Sequence, residues 1–172
     1  MLDERDPVET DDPAEIARRL AGIGVRFEQW PLRHVARDAD GAAVLAAFAP
    51  EIDRLKAESG YRSVDVIRMT ADHPERAVLR SKFLSEHRHA EDEVRFFVEG
   101  QGLFTLRDDD RVHSVLCEAG DLIAVPAGTR HWFDMGPNPY FTAIRLFVEP
   151  AGWVANFTGD PIADRFPRHE AP

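Results

Sequence analysis

Residues 86–104, EHRHAEDEVRFFVEGQGLF, decide the fold of this chain together with residues 119–131, AGDLIAVPAGTRH. In the first stretch His87 and His89 are two apart. On a strand their side chains leave the same face while Arg88 leaves the other. Ala90-Glu91-Asp92 is small and polar enough to turn the chain. From Glu93 the residues alternate, with Glu93, Arg95 and Phe97 on one face and Val94, Phe96 and Val98 on the other. A carboxylate and a guanidinium on an otherwise apolar strand are costly to bury without a purpose. The second stretch ends in Pro126-Ala127-Gly128-Thr129-Arg130, a turn that fixes the direction of His131.

His87, His89, Glu93 and His131 therefore form a candidate metal nest of three imidazoles and one carboxylate. Imidazole suits Fe, Ni, Cu or Zn, and the hard carboxylate tilts the set away from Cu(I). On an octahedral ion four protein ligands leave two neighbouring positions open, enough for a bidentate, oxygen-rich substrate. His34, His73, His113 and His169 have no partner at ligand spacing and read as structural. A zinc ion that merely holds the fold together is the competing use of such residues. A chain this rich in apolar residues has little need of it.

Working outward, short β-rich runs follow one another after Glu86: VRFFVEGQG, GLFTLR, RVHSVLCEAGD, DLIAVPAGT and YFTAIRLFV. Gly, Pro and Asp turns separate them, the pattern of a sandwich or barrel. Before them lies a helical region, about residues 12–84. Asp12-Pro13-Ala14-Glu15 resembles a capping box opening a helix. A second helix, about 42–58, should break at Pro50, which lacks an amide hydrogen. Residues 25–28 and 63–69 read as strands and 75–84 as a last helix, while 163–172 look like a loosely held tail. The expected architecture is mainly β: one domain over 1–172, with a jelly-roll-like barrel core at about 86–150 and an N-terminal helical elaboration.

A length of 172 residues suits one domain with a real core. The formal net charge of −10 argues against nucleic acid and anionic membranes, both of which need a basic surface. A single cysteine, Cys117, excludes an intramolecular disulfide and fits a reducing compartment. Its strand, SVLC, is apolar, so an inert buried thiol is expected. The acidic N-terminus MLDERDPVETDD has no signal-peptide core, and no apolar run approaches the ~18–20 residues of a membrane span. A cytoplasmic enzyme is the expectation.

Residues 87–100, HRHAEDEVRFFVEG, and 120–131, GDLIAVPAGTRH, match the two cupin signatures. Within the cupins, EHRHAEDEVRFFVEGQGLF, AGDLIAVPAGTRHWFDMG, FTAIRLF, APEIDRLKAESGY and WVANFTGD resemble the acireductone dioxygenase family over nearly the whole chain. Ser81 and Met135 depart from the looser cupin pattern, outside the ligand set. The resemblance implies a cupin barrel and one Fe2+ or Ni2+ per chain on His87, His89, Glu93 and His131. It further implies a monomeric enzyme of methionine salvage that cleaves 1,2-dihydroxy-3-keto-5-methylthiopentene with O2. With iron the implied products are 4-methylthio-2-oxobutanoate and formate; with nickel they are 3-methylthiopropanoate, formate and carbon monoxide.

Arg95 shares a face with Glu93 and is the candidate catalytic cation, stabilising a substrate dianion. The bland alternative is that it neutralises Glu93. Asp92 and Glu86 flank the ligands as candidate acceptors for imidazole N–H groups, Asp92 in a catalytic role and Glu86 also at the substrate pocket. Phe83, Phe133 and Trp153 are candidate walls for the methylthio tail, though at least one is expected to be ordinary core. Rival readings are another cupin oxygenase or isomerase using the same ligands, and a non-catalytic cupin binder. The latter commonly lacks one or more of the four ligands.

Overall fold

The computed structural model describes residues 8–109 and 111–170. Four helices, α1 (Pro13–Ala21), α2 (Gly41–Ala47), α3 (Ala49–Ser59) and α4 (Arg76–Leu84), accompany nine strands. The strands are β1 (Arg26–Gln29), β2 (Ser63–Met69), β3 (His87–Arg88), β4 (Glu93–Arg107), β5 (Val112–Glu118), β6 (Asp121–Val125), β7 (Arg130–Asp134), β8 (Phe141–Phe147) and β9 (Asn156–Phe157). All pairings are antiparallel. One sheet runs β1-β6-β4-β8-β2 and the other β5-β4-β7-β3-β9, so β4 belongs to both.

That sharing requires β4 to bend in its middle. The register with β8 slips between Phe97 and Glu99, and Gly100 follows with φ of 73°. A Cβ at Gly100 would lie 1.9 Å from the Tyr140 carbonyl oxygen, so only glycine fits. The runs 94–102 and 102–107, expected as separate strands, are thus one 15-residue strand folded over a bulge.

Alternation along β4 feeds two cores. Phe97, Phe104 and Leu106 point between the sheets, with Ile123, Val125, Phe133, Met135 and Cys117. Val94 and Phe96 point outward, onto Trp30 after β1 and onto Val44, Phe48, Ile52 and Leu55 of the helical layer. Phe96 stacks on Trp30 with ring centroids 4.4 Å apart and lies 4.8 Å from Phe48. Phe96→Ala should cost about 3–5 kcal/mol of stability, the range for emptying a buried aromatic site. Denaturant unfolding of the metal-loaded chain measures it. A loss under about 1 kcal/mol would mean that the helical layer is not load-sharing with the sheet.

The helices begin and end as their residues dictate. The Asp12 side chain accepts a hydrogen bond from the Ala14 amide. The capping box is only half made, because Glu15 turns to Arg18 and Arg19. The break between α2 and α3 falls at Phe48, two residues before Pro50. The tail differs from expectation. Residues 161–165 form a 3-10 turn with Ile162 and Ala163 buried, Phe166 packs on Trp132, and the His169 amide donates to Asp134 Oδ2. Apolar contacts interspersed among Pro, Arg and Asp were too sparse to register as a periodic element. No helix among the described residues is long and apolar enough to cross a membrane.

Candidate metal centre

β3 and β7 are neighbours in register, which sets His87 directly opposite His131. His89 follows one residue past β3, and Glu93 opens β4. One ligand atom from each of these four buried residues lies within 4.8 Å of all the others. Ring centroids are 4.5 Å apart for His87–His131, 5.0 Å for His87–His89 and 5.2 Å for His89–His131.

Backbone carbonyls orient all three rings. Nδ1 of His87 lies 2.7 Å from Ser85 O, that of His131 2.8 Å from Thr129 O, and that of His89 3.2 Å from Val154 O. A carbonyl can only accept, so each Nδ1 donates and each Nε2 is left as a lone pair. Glu93 Oε2 sits 2.8 Å from His131 Nε2 and 3.1 Å from His89 Nε2. Acceptors this close require a cation between them, either an extra proton on a ring or a metal ion. A divalent ion satisfies all four donors at once, and the residues fit one.

The electrostatics agree. Burial, with the neighbouring His131, pushes the His87 pKa down to about 4, which keeps that ring neutral and ligand-ready. Burial works the same way on His89, but the Glu93 hydrogen bond and charge outweigh it and the pKa rises. Burial alone would raise Glu93. The charge of Arg95, with hydrogen bonds from His131 and His89 when an imidazole carries the extra proton, instead holds it well below the ordinary carboxylate value.

Arg95 is buried beside the ligands, with Nη2 3.1 Å from Glu93 Oε1. Its guanidinium carbon lies 4.9 Å from the Phe133 ring centroid, 5.6 Å from Trp153 and 5.7 Å from Phe104. Burial lowers its pKa and Glu93 opposes that, while a guanidinium remains cationic. Its buried Nε has no hydrogen-bond partner among the described residues, nor has Trp153 Nε1. Two unspent donors beside a metal nest suit an oxygen-rich ligand.

The other expected residues divide. Phe133 and Trp153 reach Arg95, and Trp153 also stacks over His89 at 6.1 Å and 29°. Phe83 packs on Phe133 at 6.5 Å from the core side. Asp92 and Glu86 are not the acceptors for the imidazoles, a place taken by carbonyls. Asp92 instead accepts from Tyr61 Oη and the Ala127 amide, each at 3.0 Å, and so ties helix-side structure to the turn before His131. Buried Glu86 accepts from Arg107 Nη1 at 3.0 Å and Thr158 Oγ1 at 2.7 Å, which pins the segment bearing β9. Both carboxylates are engaged by partners other than the imidazoles. His113 and His169 stand apart from the cluster, and Cys117 is a fully buried thiol raised well above its ordinary pKa by burial.

Two antiparallel sheets sharing a bent strand, with three imidazoles and a carboxylate at one end, define a cupin-type metal-binding barrel. Comparison with known proteins refines that. Residues 3–155 match the model of the ARD/ARD' family. A protein of Parasynechococcus marenigrum named acireductone dioxygenase is 62% identical over 92% of this chain and 86% of its own length. One of the same name from Parvibaculum lavamentivorans is 58% identical over 95% and 90%. Among solved structures, the acireductone dioxygenase from Bacillus anthracis with a cadmium ion in its active centre matches with a TM-score of 0.78. It is 34% identical and covers 86% of this chain and 91% of that one. The chain belongs to the ARD/ARD' family.

Proposed function

We propose that this protein is an acireductone dioxygenase, acting with O2 on 1,2-dihydroxy-3-keto-5-methylthiopentene in methionine salvage as a monomeric, single-domain cytoplasmic enzyme. The observation that carries the reading is the convergence of His87, His89, Glu93 and His131 beside buried Arg95. Those four residues would hold one Fe2+ or Ni2+. The iron form gives 4-methylthio-2-oxobutanoate and formate, and the nickel form 3-methylthiopropanoate, formate and carbon monoxide.

The bound ion supplies positive charge that lowers the enol pKa of a chelating substrate. The chain's own residues do the rest. Carbonyls of Ser85, Thr129 and Val154 keep the imidazoles aimed inward. Arg95, fixed by Glu93 and three aromatic rings, directs its free Nε–H at the enediolate oxygens and favours the dianion. Phe133 and Trp153 wall the same space, exclude water and take the apolar end of the substrate.

Anaerobic loading of metal-free protein with Fe2+ or Ni2+, followed by acireductone and O2, tests the reading. Keto acid from the iron form and headspace carbon monoxide from the nickel form are expected. Stoichiometric metal without acireductone consumption above that of the free ion would assign the site to another cupin substrate.

A further inference from the structure

Trp153 lies beside both Arg95 and the metal nest. Its indole lies over Arg95 and His89, yet its Nε1–H is buried and makes no hydrogen bond among the described residues. It sits in the short 3-10 segment Pro150–Trp153, outside both sheets. What holds the ring is therefore contact with its faces and edges. Among those contacts is Arg145, whose guanidinium carbon is 5.0 Å from the Trp153 centroid; Phe147 meets the ring edge-on at 6.1 Å.

Arg145 is placed for this by strand register. It lies opposite Arg95 across the β4–β8 pair and opposite Asp65 across the β2–β8 pair. Two arginines facing each other on neighbouring strands repel, which is unfavourable unless compensated. Each has its own carboxylate. Arg95 contacts Glu93, and Arg145 forms a bidentate pair with Asp65, at 2.8 Å from Nε and 2.5 Å from Nη2. The fork orients the Arg145 guanidinium that contacts the indole. Both guanidiniums reach the Trp153 ring, Arg95 at 5.6 Å and Arg145 at 5.0 Å from its centroid.

We infer that Arg145, oriented by Asp65, is a positioning residue that clamps the Trp153 indole across Arg95 and the metal nest. It acts through Trp153 and does not touch the reacting atoms. The functional arm of this inference rests on the reading of Arg95 as the substrate-facing cation; the clamp itself does not.

Acrylamide quenching of tryptophan emission in the full-length, metal-loaded protein separates the two. Trp30 and Trp132 are almost wholly buried, so a Trp153→Phe protein identifies the Trp153 component by difference. Arg145→Met should raise the quenching constant of that component by about threefold while leaving the other two tryptophans unchanged, and lower kcat/KM by about tenfold at full metal content. Arg145→Lys, which keeps the cation without the fork, should recover part of both, and Asp65→Asn should fall between. Wild-type quenching of Trp153 in Arg145→Met would overturn the clamp, as would equal exposure of all three tryptophans in Arg145→Lys and Asp65→Asn, which would report general loosening. Loosened Trp153 with unchanged kcat/KM would leave the clamp standing and remove its catalytic purpose.

Discussion

Arg95→Met is expected to lower kcat by about 10²–10³-fold, the usual loss when a preorganised donor to a developing anion is removed. Methionine is chosen because it is unbranched and fills much of the same volume among Phe104, Phe133 and Trp153. Bound metal should stay near one per chain, since Arg95 supplies no ligand atom. The two rival uses of this arginine part at that point. An arginine kept only to neutralise Glu93 becomes dispensable once the carboxylate faces a divalent cation, and turnover would then survive. An arginine whose Nε is reserved for substrate oxygens leaves the enediol harder to ionise and poorly oriented. Its loss should appear in kcat as well as KM, and it should shrink at high pH, where the substrate deprotonates without help. Metal analysis with steady-state kinetics on one preparation decides between them.

The same feature that makes Arg95 legible in the sequence recurs elsewhere. A charged residue between apolar neighbours on a strand marks an employed charge, as Arg95 does in VRFF. FTAIRLF carries the same mark at Arg145, which the structure places opposite Arg95 and against Trp153. The ligand set was legible because HxH on a strand fixes two side chains on one face by local geometry alone. Its completion by His131 depended on a pairing, β3 with β7, that no local pattern encodes. Orientation of the rings lay further out of reach. Ser85, Thr129 and Val154 act through backbone carbonyls, which every residue type possesses, so composition gives no sign of them. Asp92 and Glu86 drew notice by sitting next to ligands, but adjacency in sequence reverses direction at each residue of a strand. They turn out to anchor Tyr61, Ala127, Arg107 and Thr158. In the barrel, turn signals separate β5, β6 and β8, while β7 and β9 fall outside the β-rich runs. Gly100 marks a bend within β4 and not an end, because a bulge and a turn ask for the same residue.

Glu93→Gln should produce the largest change of all, in two separable parts. The first is loss of metal, since a neutral amide replaces the anionic member of the ligand set. The second needs no metal. Arg95 is buried, and Glu93 is the carboxylate it contacts among the described residues. Removing one partner of a buried pair strands the other charge, at a cost of about 3–5 kcal/mol. The metal-free Gln protein should therefore unfold at markedly lower denaturant than metal-free wild type at pH 7. Adding Arg95→Met to it should restore most of that stability, so the double variant is more stable than the sum of the singles predicts. A pH scan gives the independent check. The Glu93 pKa is held well below its ordinary 4.5 by Arg95, His131 and His89 against the opposing effect of burial. A carboxyl depressed in the folded state contributes stability above its unfolded pKa and loses it as pH falls through the folded one. Wild type should show that acid-side loss below about pH 4.5, and both Gln proteins should lack this component. Additive effects of the two substitutions in the metal-free chain would show instead that Arg95 is solvated or paired elsewhere, and the tight coupling of Glu93 to Arg95 would be disproved.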